Sequence, residues 1–387
     1  MSTQLSVETL MMRAREETGL DDFGDTWFLG PLNRLVDEAN AHAGLIAPDA
    51  GAGARIQSAL ADRLKLEQYF KDHPDAADET VELACAITAL PRTGSTIMHR
   101  LLASSPKMTA LYWWETAFPF PFAGEEPGDP TPRQDAAKAF VDQLLEEWPD
   151  FESIDPMNAM AINEEVVLLD RMFLSTTYDS MMPIHDYGHW QAEQDQEPAY
   201  RDLYRFMQVI QHQRGDAGPR KWVFKTPHHV LGGIEGLLAV WPDTPLVITH
   251  RNVEQVVPSY CSMCASLTIN ASTTYRKEEE GAHWTARFAD GLRRFEKVRQ
   301  GLPEDQVIDV LYEDTVSDPI GTTQRVMKAI GMDFDAADRA AMEQAIADNQ
   351  REKRPKHKYS AAEFGLTPEG IARDFAFYHD TYLPAEK

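Results

Sequence analysis

Three short clusters in the 387-residue chain combine cations, hydroxyls and glycine at spacings suited to anion chemistry. The first is CAITALPRTGSTIMHRLL, residues 85–102, where an apolar run ends at Pro91 and Gly94, Ser95 and Thr96 open a helical pattern. Amide N–H groups at a helix start point into such a turn, and the helix dipole favours negative charge there. Arg92, two residues before the glycine, adds a cation that a plain strand-to-helix turn does not require. The triphosphatase pattern G-x-x-x-x-G-K-[ST] is matched only in part. Gly94 and Thr96 fit it, but Ser95 stands at the lysine and Ala89 at the first glycine. The second cluster is THRNVEQVVPSYCSM, residues 249–263, with Arg251 after a strand-like run and Ser259 eight residues on. A guanidinium offers a planar fork of donors, and a helix-borne hydroxyl adds another. The third, VFKTPHH at residues 223–229, sets Lys225 at the end of a strand-like run.

Positioning these residues needs short buried strands that feed helices. Strand-like runs occur at residues 83–90, 222–224, 245–249 and 307–311. Helical patterns follow them at about 96–104, 229–240, 253–267 and 318–331, with others at 135–147, 163–177 and 336–348. Repetition of strand, turn and helix argues for a parallel sheet with helices on both faces. Residues 1–75 read as a helical segment packed on a main domain at 76–387, and residues 110–215 as a helical insertion on the acceptor side. The Pro/Gly/acid stretch 124–134 reads as a surface loop.

The PRTGST turn resembles the 5′-phosphosulfate loop of sulfotransferases that use 3′-phosphoadenosine 5′-phosphosulfate (PAPS), in which R/K-x-G-[ST]-T stands where kinases carry G-K-[ST]. The resemblance spans about residues 83–105, 222–268 and 306–360. It implies an α/β three-layer sandwich around a parallel sheet, of the P-loop NTPase-like sulfotransferase fold. It further implies that Arg92, Thr93, Gly94, Ser95 and Thr96 bind the 5′-phosphate, and that Arg251 and Ser259 bind the 3′-phosphate. Lys225 would lie beside the sulfuryl group, and Tyr312 of the Tyr-Glu-Asp element near adenine. The basic run holding Arg351, Lys353, Arg354, Lys356, His357 and Lys358 is similar to a loop that closes over the 3′-phosphate, although a solvated charge run has the same composition. Ile97 stands at the adenine-stacking tryptophan of the cytosolic members, and Pro227 at their catalytic histidine. Both departures point to bacterial relatives near the tyrosylprotein and carbohydrate-type branch.

Sulfuryl transfer needs a base for the acceptor proton. Glu115, in LYWWETAFPF, follows the loop where tyrosylprotein-type members carry a catalytic Glu-Thr, and its aromatic neighbours could raise its pKa. His228 is the rival, one residue beyond the family's histidine. Glu165 and His185 stand behind these two, while Asn163, Glu164 and Glu165 read as a helix cap with acids in the first turn.

Composition sets limits on partners. With 37 basic against 62 acidic residues the chain carries a net charge of −25, which repels nucleic acids and leaves a small anionic co-substrate dependent on a local cation cluster. No apolar run has the length of a membrane span, and the first residues lack the basic-then-apolar texture of a secretory signal, so a cytoplasmic location is expected. Three cysteines make no disulfide framework, and Cys261 and Cys264 read as core residues of one helix. The expected activity is in-line transfer of the sulfuryl group from PAPS to a hydroxyl or amine of a small apolar acceptor, without a metal. Two alternatives remain at this level: a P-loop kinase, which would need a loop lysine and an acidic magnesium ligand, and a catalytically silent nucleotide binder.

Overall fold

The computed structural model describes residues 4–42, 44–45, 49–148, 157–215, 220–269, 271–348 and 359–383. Five strands, β1 Leu83–Ile87, β2 Met108–Thr109, β3 Lys221–Lys225, β4 Leu246–His250 and β5 Val307–Leu311, form one sheet in the order β2-β3-β1-β4-β5. Every pairing is parallel. Each residue of β1 and β4 is buried, as expected of strands covered on both faces. The register sets Ile87, the last residue of β1, beside Lys225 on one flank and Val247 on the other. Strand order changes direction between β1 and β4, so a crevice opens at their carboxyl ends, where open α/β sheets take ligands.

Before the sheet come α1 Val7–Thr18, α2 Leu29–Ala41 and α3 Ala54–Asp72. These three helices bury a cluster of their own, into which Phe173, Tyr178 and Tyr187 from beyond β2 insert. Arg63 on α3 pairs with Asp202 at 2.8 Å, a contact buried on both sides. Helix α4 Ser95–Ser104 leaves β1. Between β2 and β3 lie α5 Trp113–Ala117, α6 Thr131–Glu147, α7 Val166–Leu169, α8 Thr176–Met181, α9 His185–Ala192 and α10 Glu197–Arg214. Then follow α11 Ile234–Val240, α12 Val253–Thr268 and α13 Lys277–Arg299, and after β5 come α14 Tyr312–Ser317, α15 Pro319–Ala329 and α16 Ala336–Asp348.

Two local expectations change, and one strand goes unforeseen. Helix α6 starts inside the expected loop because Pro132 fits the first turn of a helix, where its missing N–H is not needed. The pattern at 163–177 is broken at Phe173, whose φ is +57°. Its ring packs 5.9 Å from Phe28 and its carbonyl accepts the Tyr187 hydroxyl at 2.6 Å, and these long-range contacts override the local helical pattern. The two-residue strand β2 is too short to show a period.

Candidate active site

The turn between β1 and α4 carries two residues in the left-handed region, Arg92 at φ +65° and Gly94 at φ +86°. For arginine that conformation costs about 1–2 kcal/mol, and it orients the residue toward two others. The Arg92 Nε donates to Ser259 Oγ at 3.2 Å, and its carbonyl accepts from Arg251 Nη1 at 2.7 Å. Arg251 also lies over the ring of Tyr312, 4.2 Å from its centroid. The same ring covers Gly94 so closely that an added Cβ would come within 2.9 Å of it. Residues from two separate sequence clusters, and Tyr312 from a third segment, therefore meet at the carboxyl ends of β1 and β4.

What these groups leave unmatched is informative. Among the described residues, neither Arg92 nor Arg251 pairs with a carboxylate, in a chain of net charge −25. Arg251 Nε is buried without an acceptor. The amide N–H groups of Arg92, Thr93, Gly94, Ser95 and Thr96 likewise have no protein acceptor among the described residues. A buried guanidinium nitrogen beside a run of open turn amides fits a bound anion. Thr93 contributes its amide alone, because its hydroxyl turns inward, donating to the Leu90 carbonyl at 2.7 Å and meeting Thr249 Oγ1 at 2.6 Å. This ties the turn to β4. Ser95 is buried and Thr96 exposed at the start of α4.

On the other flank, Lys225 ends β3 beside Ile87 and is almost fully buried. Its ammonium group pairs with Glu164, and its amide donates to Glu165 Oε2 at 2.9 Å. Glu165 Oε1 lies 2.7 Å from His229 Nε2, and His229 Nδ1 meets the Tyr200 hydroxyl at 2.6 Å. Burial pushes the Glu165 carboxyl up, but His229 and the Lys225 amide outweigh it and hold the group below its ordinary value.

The two candidate bases are placed elsewhere. Glu115 is buried, grips Arg214 through Nε at 2.7 Å and Nη2 at 2.5 Å, and accepts the Tyr112 amide at 2.8 Å as a helix cap. Its Thr116 neighbour accepts from Asn163 Nδ2 at 2.7 Å, so this Glu-Thr pair secures the strand-like stretch that leads into Glu164. His228 is wholly buried under Gly233 and stacked on Tyr200, with neither ring nitrogen partnered. Burial, reinforced by His229, pushes its pKa well down. A base must reach the acceptor hydroxyl. The structure brings neither residue to the turn. His185 sits in a separate group, stacked on His283 at 4.0 Å. Cys261 and Cys264 are buried thiols on α12, pushed up by burial.

A sulfotransferase family model matches residues 85–336, well over half of the chain. The chain belongs to the sulfotransferase family. Among solved structures it is similar to the sulfotransferase STF1 of Mycobacterium tuberculosis, at 30% identity with a TM-score of 0.85, covering 97% of this chain and 100% of that one. The fold is shared as well with the sulfotransferase STF9 of Mycobacterium avium, at 24% identity and a TM-score of 0.86 over 98% of this chain and 97% of that one. No curated protein matches it in sequence. Among the described residues of this sulfotransferase, no group of three or more His, Cys, Asp or Glu side chains is arranged to hold a metal. No described helix is long and apolar enough to cross a membrane. Arg351 and Lys353, with the rest of their basic run, lie outside the described residues. Sequence reasoning missed Glu164 and read it as a helix-cap acid. The two adjacent carboxylates ahead of the apolar VVLL run were the only local signal.

Proposed function

We propose that this enzyme transfers the sulfuryl group of PAPS to a hydroxyl or amine of a small, apolar acceptor. The observation that carries the reading is the meeting of Arg92, Gly94, Arg251, Ser259 and Tyr312 around unmatched donors, with Arg251 Nε buried and lacking an acceptor. Two anion positions follow from it. The turn amides of Arg92 to Thr96 suit a 5′-phosphate, and Arg251 with Ser259 a 3′-phosphate. Tyr312, already covering Gly94 and stacked under Arg251, offers a flat surface toward the adenine side. Lys225 at the end of β3 stands beside the turn, where a cation stabilises charge developing on the bridging oxygen as it leaves sulfur. Arg92 supplies a second cation for the transferring group. A fixed array of this kind acts by positioning and electrostatics.

The test is calorimetric titration with 3′-phosphoadenosine 5′-phosphate (PAP), beside ATP with magnesium. The wild type should bind PAP more tightly than ATP, and Arg251→Ala should weaken PAP binding by about 10–100-fold, the worth of a charge-assisted contact. A preference for ATP would sink the reading in favour of a kinase.

A further inference from the structure

Lys225 does not wait with an open charge. Its ammonium group is nearly buried, with a side-chain exposure of 7%, while the Glu164 carboxylate that pairs with it is 27% exposed. The carboxylate is therefore the more open member of the pair. Glu164 is held in place from both sides. The preceding Asn163 donates its side-chain amide to Thr116 Oγ1 at 2.7 Å and its backbone N–H to the Leu111 carbonyl at 2.8 Å. The following Glu165 is buried against the Lys225 amide and His229. Glu164 thus stands beside Lys225 at the end of β3, partly open, with its chain neighbours fixed. The other carboxylate and imidazole considered for proton transfer, Glu115 and His228, are enclosed.

We propose that Glu164 is the catalytic base, and that the phosphosulfate arms it by drawing Lys225 away from it. This rests on the PAPS reading above. In the free enzyme the pair neutralises both groups. When the bridging oxygen occupies the end of β3, Lys225 exchanges its carboxylate partner for that oxygen. Glu164 is then left facing the acceptor. Its oxygen takes the proton of the acceptor O–H as the acceptor oxygen forms its bond to sulfur. The bond between sulfur and the bridging oxygen breaks, and its electron pair stays on the 5′-phosphate beside Lys225. Glu164 leaves the step protonated, and the bisphosphate product keeps Lys225 until it departs.

The exchange makes an unusual demand on a variant, because one substitution should improve binding and abolish transfer. Glu164→Gln removes the competitor for Lys225 and a negative charge beside the anion, so PAP affinity measured by calorimetry should rise about tenfold. Release of PAP from PAPS, with water as the acceptor, should fall about 100-fold or more in the same variant. Glu164→Asp keeps the charge and should bind PAP as the wild type does, which separates the effect from a general loss of folding. Unchanged or weaker PAP binding by Glu164→Gln, with wild-type binding intact, overturns the assignment of Glu164 alone. A wild type that does not bind PAP overturns the cofactor reading and this proposal together.

Discussion

The turn after β1 and the insertion between β2 and β3 treat charge in opposite ways. At the turn, Arg92 and Arg251 meet each other, a serine and an aromatic ring, and neither meets a carboxylate among the described residues. Within the insertion and between it and α3, charges are matched across long stretches of chain: Glu115 with Arg214, Asp62 with Arg171, Arg55 with Asp170 and Arg63 with Asp202. The cations of the first arrangement have no carboxylate among the described residues, and each cation of the second has one. On the proposed function, a binding cation is distinguished here less by its residue type than by what the fold withholds from it. Lys225 and Glu164 sit on the border between the two regimes.

Substitutions on the two sides should accordingly fail in different ways. The largest effect belongs to Lys225→Ala, which should lower sulfuryl transfer by about 100–1,000-fold while the melting temperature stays near that of the wild type. A large loss of stability instead would place Lys225 with the structural pairs and break the contrast. Glu115→Gln should do the reverse, destabilising the fold by about 2–3 kcal/mol in a denaturant titration because Arg214 loses its buried partner. PAP affinity should hold within about threefold.

A smaller effect concerns pH and the anchoring of α4. His99 on that helix is buried, its Nε2–H donating to the Val223 carbonyl at 3.1 Å, and burial, aided by the Lys225 charge, pushes its pKa down to about 4. Below the ordinary histidine range the unfolded chain takes up a proton that the folded chain refuses. Stability from this residue is therefore complete above about pH 6.5 and drains away as pH falls toward 4. Replacing it in His99→Leu should flatten the fall of unfolding free energy between pH 6.5 and 5 by about 1–2 kcal/mol. An identical slope in the two proteins would show that the imidazole is not held neutral by its surroundings.

How much of this could be read from the chain follows from the same contrast. The loop at residues 91–96 was legible because a short buried strand, a glycine and a helix start are local features, and Arg92 had no local explanation. Arg251 and Ser259 were legible for the same reason, as a strand end and the helix after it. The surroundings of the acidic candidates were not. Glu115 is held by Arg214, ninety-nine residues away, and Glu164 pairs with Lys225, sixty-one residues away. Neither separation leaves a periodic trace. His228 and His229 are neighbours in sequence with similar local signals, yet the Tyr200 hydroxyl and Glu165 reach ring nitrogens of the second only. The break at Phe173 escaped because it depends on Phe28 and Tyr187, which lie far from it in the sequence.

The strand order carries a consequence for how the chain is made. In the finished sheet Leu83 pairs with Trp222 and Ala86 with Leu246, so β1 has no permanent neighbour until β3 and β4 exist. A ribosome adding about 10 residues per second reaches β4 more than ten seconds after β1. Until β3 is made, the fully apolar LACAI segment is a nascent strand with both edges open. The helical segment ahead of it is made before it, and the insertion behind it is made before β3. Synthesis of this enzyme is thus exposed to aggregation at one definite stage, and its yield should respond to chaperone supply and elongation rate more than its finished stability would suggest.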